Sequence, residues 1–161
     1  MLKALLLMTG MVVSTDTIPE PIAVVPLVME ATLSKVYPDG RPSDHPISVH
    51  LGSFMSELNR MSDDPVSALE VKALLEDYGY SKDLNKTPFC PDCDLSHGPR
   101  MWVKIQSMER TESGYRVRVR EEHPYRDYDG EWVRSFSEFP YEFVWTGDGW
   151  ETKVSGRIRQ S

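Results

Sequence analysis

Apolar and polar side chains alternate along several short stretches in the last third of the chain. Tyr115, Val117 and Val119 alternate with arginines at positions 116, 118 and 120, and a period of two is typical of a β-strand with one solvent-exposed face. The same alternation recurs at residues 101–108, 138–145 and 150–159. Glycine-containing turns separate these stretches, so the pattern predicts an antiparallel β-meander. Pro140 interrupts one of them, and because proline has no N–H to donate we expect a bulge or a sheet edge there.

The first half of the chain predicts helices instead. Apolar residues follow Pro26 at spacings of three and four, which gives a helix one apolar face, and proline is favoured in the first turn. Ser53 is a suitable N-cap for a second, short helix, and Asp64 with Pro65 predicts the start of a third. Residues 47–51 fit a short strand. This order predicts an α+β fold, in which N-terminal helices pack on a curved antiparallel β-meander of about four to six strands.

Charge limits the classes of partner. The 161-residue chain carries a net charge of −7, whereas a nucleic-acid surface needs clustered, excess positive charge. We therefore expect no nucleic acid among the partners. The strand arginines are accompanied by carboxylates, with which cross-strand ion pairs on the solvent-exposed face are expected. These carboxylates are Glu109, Glu112, Glu121, Glu122, Glu138 and Glu142.

The first residues have the pattern of an export signal. Lys3 precedes an apolar run at residues 4–13, and Ser14 is a suitable position for cleavage. The run is too short to span a bilayer, so no transmembrane span is expected. The predicted segments are a signal peptide at residues 1–14, a linker at 15–25 and a single α+β domain at 26–161. This organisation predicts a periplasmic or secreted protein, whereas a chain that is not cleaved at this position would be cytoplasmic.

Cys90 and Cys93 form a CxxC motif within a polar loop at residues 81–100. In an exported protein the simplest expectation is a disulfide between them that pins the loop. With His97 they also have the spacing of three zinc ligands, and a redox-active dithiol is a third interpretation. The motif has no second cysteine pair and no following helix. We therefore expect a disulfide and no cofactor, with zinc as the alternative.

His50 and His123 are candidate general bases, because imidazole titrates near neutral pH. A structural role is the competing interpretation for each, since no motif supplies a partner carboxylate. Six aromatic residues on the predicted strands are candidates to line a ligand pocket between the sheet and the helices. They are Trp102, Tyr115, Phe139, Tyr141, Trp145 and Trp150. Packing in the core is the alternative role for these rings.

The order of elements resembles the nuclear-transport-factor-like, or SnoaL-like, superfamily, whose members fold a curled sheet around N-terminal helices. The resemblance covers residues 26–158 and rests on residues 115–120, 131–145 and 150–159. The long loop at residues 81–100 departs from the pattern of the superfamily. The resemblance implies a cavity between sheet and helices, in which catalytic members place acids or histidines. No residue of this chain maps onto those positions by motif.

Together these features predict an exported binding or accessory module for a small molecule or a protein partner, without catalysis of its own. A dimer is compatible with the sequence. The alternative, implied by the resemblance, is a ketosteroid-isomerase-like enzyme that uses a pocket histidine or aspartate as general base. A second alternative is a zinc- or redox-responsive protein that uses Cys90 and Cys93.

Overall fold

A layer of helices covers one face of a curved, mostly antiparallel sheet. The computed structural model describes residues 17–40, 47–78, 101–126, 128–154 and 159–160. The helices are α1 (Val24–Val36), α2 (Leu51–Met61) and α3 (Ala68–Glu76). The strands are β1 (Ile47–Val49), β2 (Met101–Arg110), β3 (Gly114–Arg126), β4 (Trp132–Trp145), β5 (Trp150–Val154) and β6 (Arg159–Gln160). The predicted α+β class, with helices packed on a β-meander, is confirmed.

The sheet follows the chain, since its strands lie in the order β1-β2-β3-β4-β5 and β6 also pairs with β4. β1 is parallel to β2, and all other pairs are antiparallel. The longest pair joins β3 to β4, from Gly114 opposite Val144 to Arg126 opposite Trp132. Because side chains alternate between faces, this register puts the odd-numbered residues of both strands on one face, here called the inner face.

The inner face and α1 form the centre of the hydrophobic core. Tyr115 and Val117 on β3 and Phe143 on β4 are fully buried, and so are the apolar side chains that α1 turns toward them. Those side chains are Val24, Val25, Val28 and Met29. Burying each such side chain contributes roughly 1.5–3 kcal/mol. The Tyr115 hydroxyl donates to the Pro19 carbonyl at 2.8 Å, which fixes the chain just before α1 to the sheet.

α2 covers the part of β2 that β1 leaves without a strand partner. β1 pairs only with the first three residues of β2. Beyond them, Ile105 N–H donates to Ser53 Oγ at 3.2 Å and Met108 N–H donates to Glu57 Oε2 at 2.9 Å. Arg60 holds the same carboxylate at 2.6 Å and also donates to the Met108 carbonyl. Side chains of α2 therefore bond to backbone groups that an edge strand would otherwise expose.

The helix starts differ from the predicted ones. α1 begins at Val24, before Pro26, and follows a 3₁₀ turn at Pro21–Ala23. The N-cap of α2 is His50, not Ser53, since His50 Nδ1 accepts from Ser53 N–H at 3.1 Å.

The start of α3 was also predicted too early. Its N-cap is Ser67, not Asp64. Ser67 and Glu70 form a capping box, in which each side chain accepts from the backbone N–H of the other residue. Two unpaired donors are satisfied in this way, which favours Ser67 over a single cap at Asp64.

Backbone geometry matters at two positions in β3 and β4, which are occupied by glycine and proline. A Cβ atom on Gly114 would lie 1.9 Å from the Phe143 carbonyl oxygen, so only glycine fits where the two strands approach. Pro140 pairs with Arg118 without a bulge. Within the described residues, β5 and β6 pair with β4 on either side of Pro140 and not with Pro140 itself. The pairing of β3 with β4 therefore shows no bulge at Pro140, and a register shift lies instead in β2, between Ile105 and Ser107.

Candidate functional site

The inner face becomes polar beyond Val119. The next two inward positions of β3 are Glu121 and His123, and Ser137 and Ser135 lie opposite them on β4. Glu121 is only 2% exposed. A carboxyl group is costly to bury unless it is paired or hydrogen-bonded, so this end of the face differs in kind from the apolar core beside it.

Glu121 and His123 form an electrostatic pair. Glu121 Oε2 lies 3.7 Å from His123 Nε2, and the exposed fraction of the histidine side chain is 33%. This distance is longer than a hydrogen bond. Burial raises the pKa of the Glu121 carboxyl above its ordinary value, while His123 and, more weakly, Lys35 act in the opposite direction. The buried acid therefore has a partly exposed imidazole between it and solvent.

Lys35, on the helical layer, interacts electrostatically with Glu121. It lies in the last turn of α1, where a positive charge is favoured by the helix dipole. Its Nζ stands 3.4 Å above the centroid of the Phe139 ring, which is a cation–π contact. Burial lowers the pKa of Lys35, and the Glu121 charge opposes that effect.

Two hydroxyl groups complete the cluster. Thr32 Oγ1 and Tyr141 Oη are both buried neighbours: Thr32 lowers the pKa of Tyr141 as a hydrogen-bond partner would, although neither atom forms a hydrogen bond of ordinary geometry among the described residues. The same holds for Glu121 Oε1. Burial raises the pKa of Tyr141 to about 12, so its phenol stays neutral at physiological pH. We call Thr32, Lys35, Glu121, His123 and Tyr141 the polar cluster.

Three buried polar atoms of the polar cluster, on Thr32, Glu121 and Tyr141, form no hydrogen bond of ordinary geometry among the described residues. Each buried polar atom without a partner costs about 1–3 kcal/mol, and the three lie on side chains that surround the same part of α1 and the sheet. Perturbed acids beside a titratable partner are typical of functional sites. A protonated Glu121 is a hydrogen-bond donor, and an ionised Glu121 accepts hydrogen bonds only.

The two predicted histidines have different environments. His50 is exposed at the start of α2, where its imidazole caps the helix, and this contact gives it a structural role. His123 lies beside a buried carboxylate, which is the partner that no sequence motif supplied.

The six aromatic candidates fall into separate groups. Tyr115, Phe139 and Tyr141 are buried in the core, while Trp145 and Trp150 are half-buried with ring centroids 5.3 Å apart. Trp102 is buried opposite Glu122 and therefore lies on the other face of the sheet. Trp145 also lines an open groove of about 280 Å³ at the hairpin end of the sheet. The structure therefore does not gather the six rings around one space.

Glu121 was wrongly predicted to lie on the solvent-exposed face with the arginines. That expectation holds for Arg120, which lies 2.7 Å from Glu138 and 3.9 Å from Glu122, and for Arg116, which lies 3.9 Å from Glu142. Glu121 is on the opposite face because the inward alternation of Tyr115 and its neighbours continues. Extending that alternation past Arg120 identifies Glu121 and His123 as inward residues.

The predicted signal peptide at residues 1–14 lies outside the described residues, as do Cys90, Cys93 and His97. The described part of the chain contains no group of three or more His, Cys, Asp or Glu side chains suited to hold a metal ion. It also contains no helix with the length and apolar character needed to cross a membrane. Comparison with known protein families, curated protein sequences and solved structures gives no match for this chain.

Proposed function

We propose that this protein is a binding module for a small molecule, which it holds at the polar cluster. The observation that carries this proposal is the buried Glu121 carboxyl beside a partly exposed histidine. One of its oxygens has no hydrogen-bond partner in the part of the chain that the structure describes. An arrangement that costs folding free energy is consistent with a site kept for binding. His123 and Lys35 are the members that solvent reaches, so a ligand would contact them first.

A fragment titration tests the binding proposal. Small neutral, acidic and basic fragments are added to ¹⁵N-labelled protein, and backbone amide shifts are followed by NMR. We expect shifts centred on Lys35, Glu121 and His123, and weaker binding by the Glu121→Gln variant. Glu122→Gln is the matched control, since this acid is next in sequence on the other face of the sheet. Shifts centred elsewhere, or equal effects of both variants, would contradict the proposal.

A second function, proton-transfer catalysis, is favoured by the Glu121–His123 geometry. In this proposal His123 is the general base, and Glu121 is a positioning residue that stabilises the imidazolium formed when His123 takes a proton. The separation of 3.7 Å allows such electrostatic support. It is also compatible with tightening once a substrate binds.

Proton exchange tests the catalytic proposal without a known substrate. A panel of simple ketones and keto acids is incubated with the protein in D₂O, and loss of the α-proton signal is measured. Catalysis predicts exchange above the rate without protein, which His123→Gln removes and His50→Gln retains. Exchange at the background rate across the panel would leave the non-catalytic binding module as the proposed function.

Export and the state of the two cysteines are further parts of the proposal. A cleaved signal peptide predicts a mature chain that begins after Ser14, and a disulfide predicts a mass two hydrogens lower than that of the dithiol. Intact mass spectrometry of the native protein measures both. An intact Met1 would contradict export. Two free thiols would contradict the disulfide and return zinc or redox chemistry at Cys90 and Cys93 as the alternative.

A further inference from the structure

We infer that the ligand of the polar cluster carries a carboxylate group, which binds to the Lys35 ammonium. This inference rests on the proposed binding function and names the chemical class of the ligand. It begins from a comparison of Lys35 with two cations on the other face of the sheet. Arg120 and Lys153 each lie within ion-pair distance of a carboxylate. Lys35, in contrast, forms no ion pair with any carboxylate among the described residues; its close contact is the ring of Phe139.

The position of Lys35 leaves it able to bind an anion. The Phe139 ring, 3.4 Å below Nζ, covers one side of the ammonium, and an aromatic face accepts no strong ionic hydrogen bond. Lys35 is an exposed residue, so N–H groups that do not face the ring can donate to an anion. Phe139 itself is 4% exposed, so it provides a fixed support for the cation.

The charge of the cluster selects an anion with a single negative charge. When Glu121 is neutral, the positive charge of Lys35 has no counter-charge among the members of the cluster. When Glu121 is ionised, it balances the positive charge of Lys35. The cluster therefore never carries a net negative charge, although the whole protein carries −7. One ammonium matches the single negative charge of a carboxylate.

Matched pairs of probes test the charge of the ligand. Acetate is compared with acetamide, and phenylacetate with phenylacetamide, because each pair has nearly the same shape but differs in charge. Affinities are measured by NMR from the shifts of the Lys35 and His123 amides. We expect the amides to bind about fivefold more weakly than the acids, as for a partly exposed ion pair with charge-assisted hydrogen bonds. Lys35→Met should remove this preference, and Lys35→Arg should retain it.

Lys153→Met is the control for net charge, since Lys153 is exposed on β5 and pairs with Glu151 at 3.6 Å. It should leave the preference for acids unchanged. If acids and amides bind equally at the cluster, the carboxylate inference is wrong while the binding site stands. A preference for acids that survives in Lys35→Met also overturns the inference. If neither member of any pair shifts these amides, both the inference and the proposed binding function fail.

Discussion

The two ends of the inner face are built on the same strands and lie under the same helix, but one end stabilises the fold and the other opposes folding. At one end, Tyr115 and Phe143 pack against the first turns of α1, and their burial stabilises the fold. At the other, Glu121 and His123 lie near the last turns of α1, and burying the carboxyl opposes folding. The alternation of the strands is the same throughout. What changes is the side chain that the inward position carries. The residues that stabilise the fold and those of the candidate site therefore lie at different ends of the same strand.

The largest effect is expected at the apolar end. Phe143→Ala removes a fully buried ring, and we expect a loss of about 3–5 kcal/mol in the free energy of unfolding because the cavity collapses only partly. The neighbouring Val144→Ala, on the other face and half-buried, should cost less than about 1 kcal/mol. Urea unfolding followed by tryptophan fluorescence measures both. Similar losses for the two variants would show that the inner face is not the main core.

At the polar end, the free energy of unfolding should change with pH in the direction opposite to that expected for an ordinary surface acid. Burial raises the folded-state pKa of Glu121 above its unfolded value near 4.5. Stability from this group is therefore fully present below that value and is lost as pH rises through the folded pKa. Glu121→Gln should remove this decline, so the variant gains stability relative to the native chain as pH rises. Thermal unfolding across pH measures it, and parallel profiles for the two chains would refute the shift.

Thr32 tests whether the unsatisfied hydroxyl groups oppose folding. Thr32→Val keeps the shape of the side chain and its β-branch. It removes a buried hydroxyl that neighbours Tyr141 but forms no hydrogen bond of ordinary geometry among the described residues. We expect stabilisation by about 1 kcal/mol, because the cost of dehydrating the hydroxyl disappears. Chemical denaturation gives the value, with Thr32→Ser as the variant that keeps the hydroxyl. Destabilisation by Thr32→Val would mean that the hydroxyl is bonded in solution.

The smallest effects concern the other face of the sheet. Arg120 and Glu138 are 2.7 Å apart and mostly buried, whereas Arg116 and Glu142 are 3.9 Å apart and more exposed. Double-mutant cycles with alanine should give a coupling free energy of about 1 kcal/mol for the first pair and about 0.3 kcal/mol or less for the second. A coupling that is larger for the exposed pair would contradict the assignment based on distance and burial.

The sequence was sufficient for the fold class because its signals are local. Period-two alternation identified the long strands, and spacings of three and four identified α1. The parallel pairing of β1 was not predictable, since three residues carry no information about their partner on β2. The caps at His50 and Ser67 were missed for a related reason. Several nearby residues can cap a helix, and packing decides which of them does so.

Some residues of the candidate site could be predicted from the sequence, and others could not. Glu121 and His123 follow from carrying the alternation of β3 two steps further. The contact between Lys35 and Phe139 does not, because it joins the end of α1 to a strand that comes much later in the chain. Such contacts depend on how the helix crosses the sheet. The proposal that a ligand carries a carboxylate therefore needs the tertiary structure.

The hydrogen bonds from β2 to α2 have a consequence for how the protein behaves before it is fully folded. α2 is made before β2 during synthesis, and Ser53 and Glu57 must find Ile105 and Met108 across a long stretch of chain. Until they do, this part of β2 offers free N–H groups to any other strand. We expect weakening of α2, for example by Ser53→Ala with Glu57→Ala, to increase aggregation during refolding more than it lowers equilibrium stability. In this respect α2 protects the chain from association with its own copies.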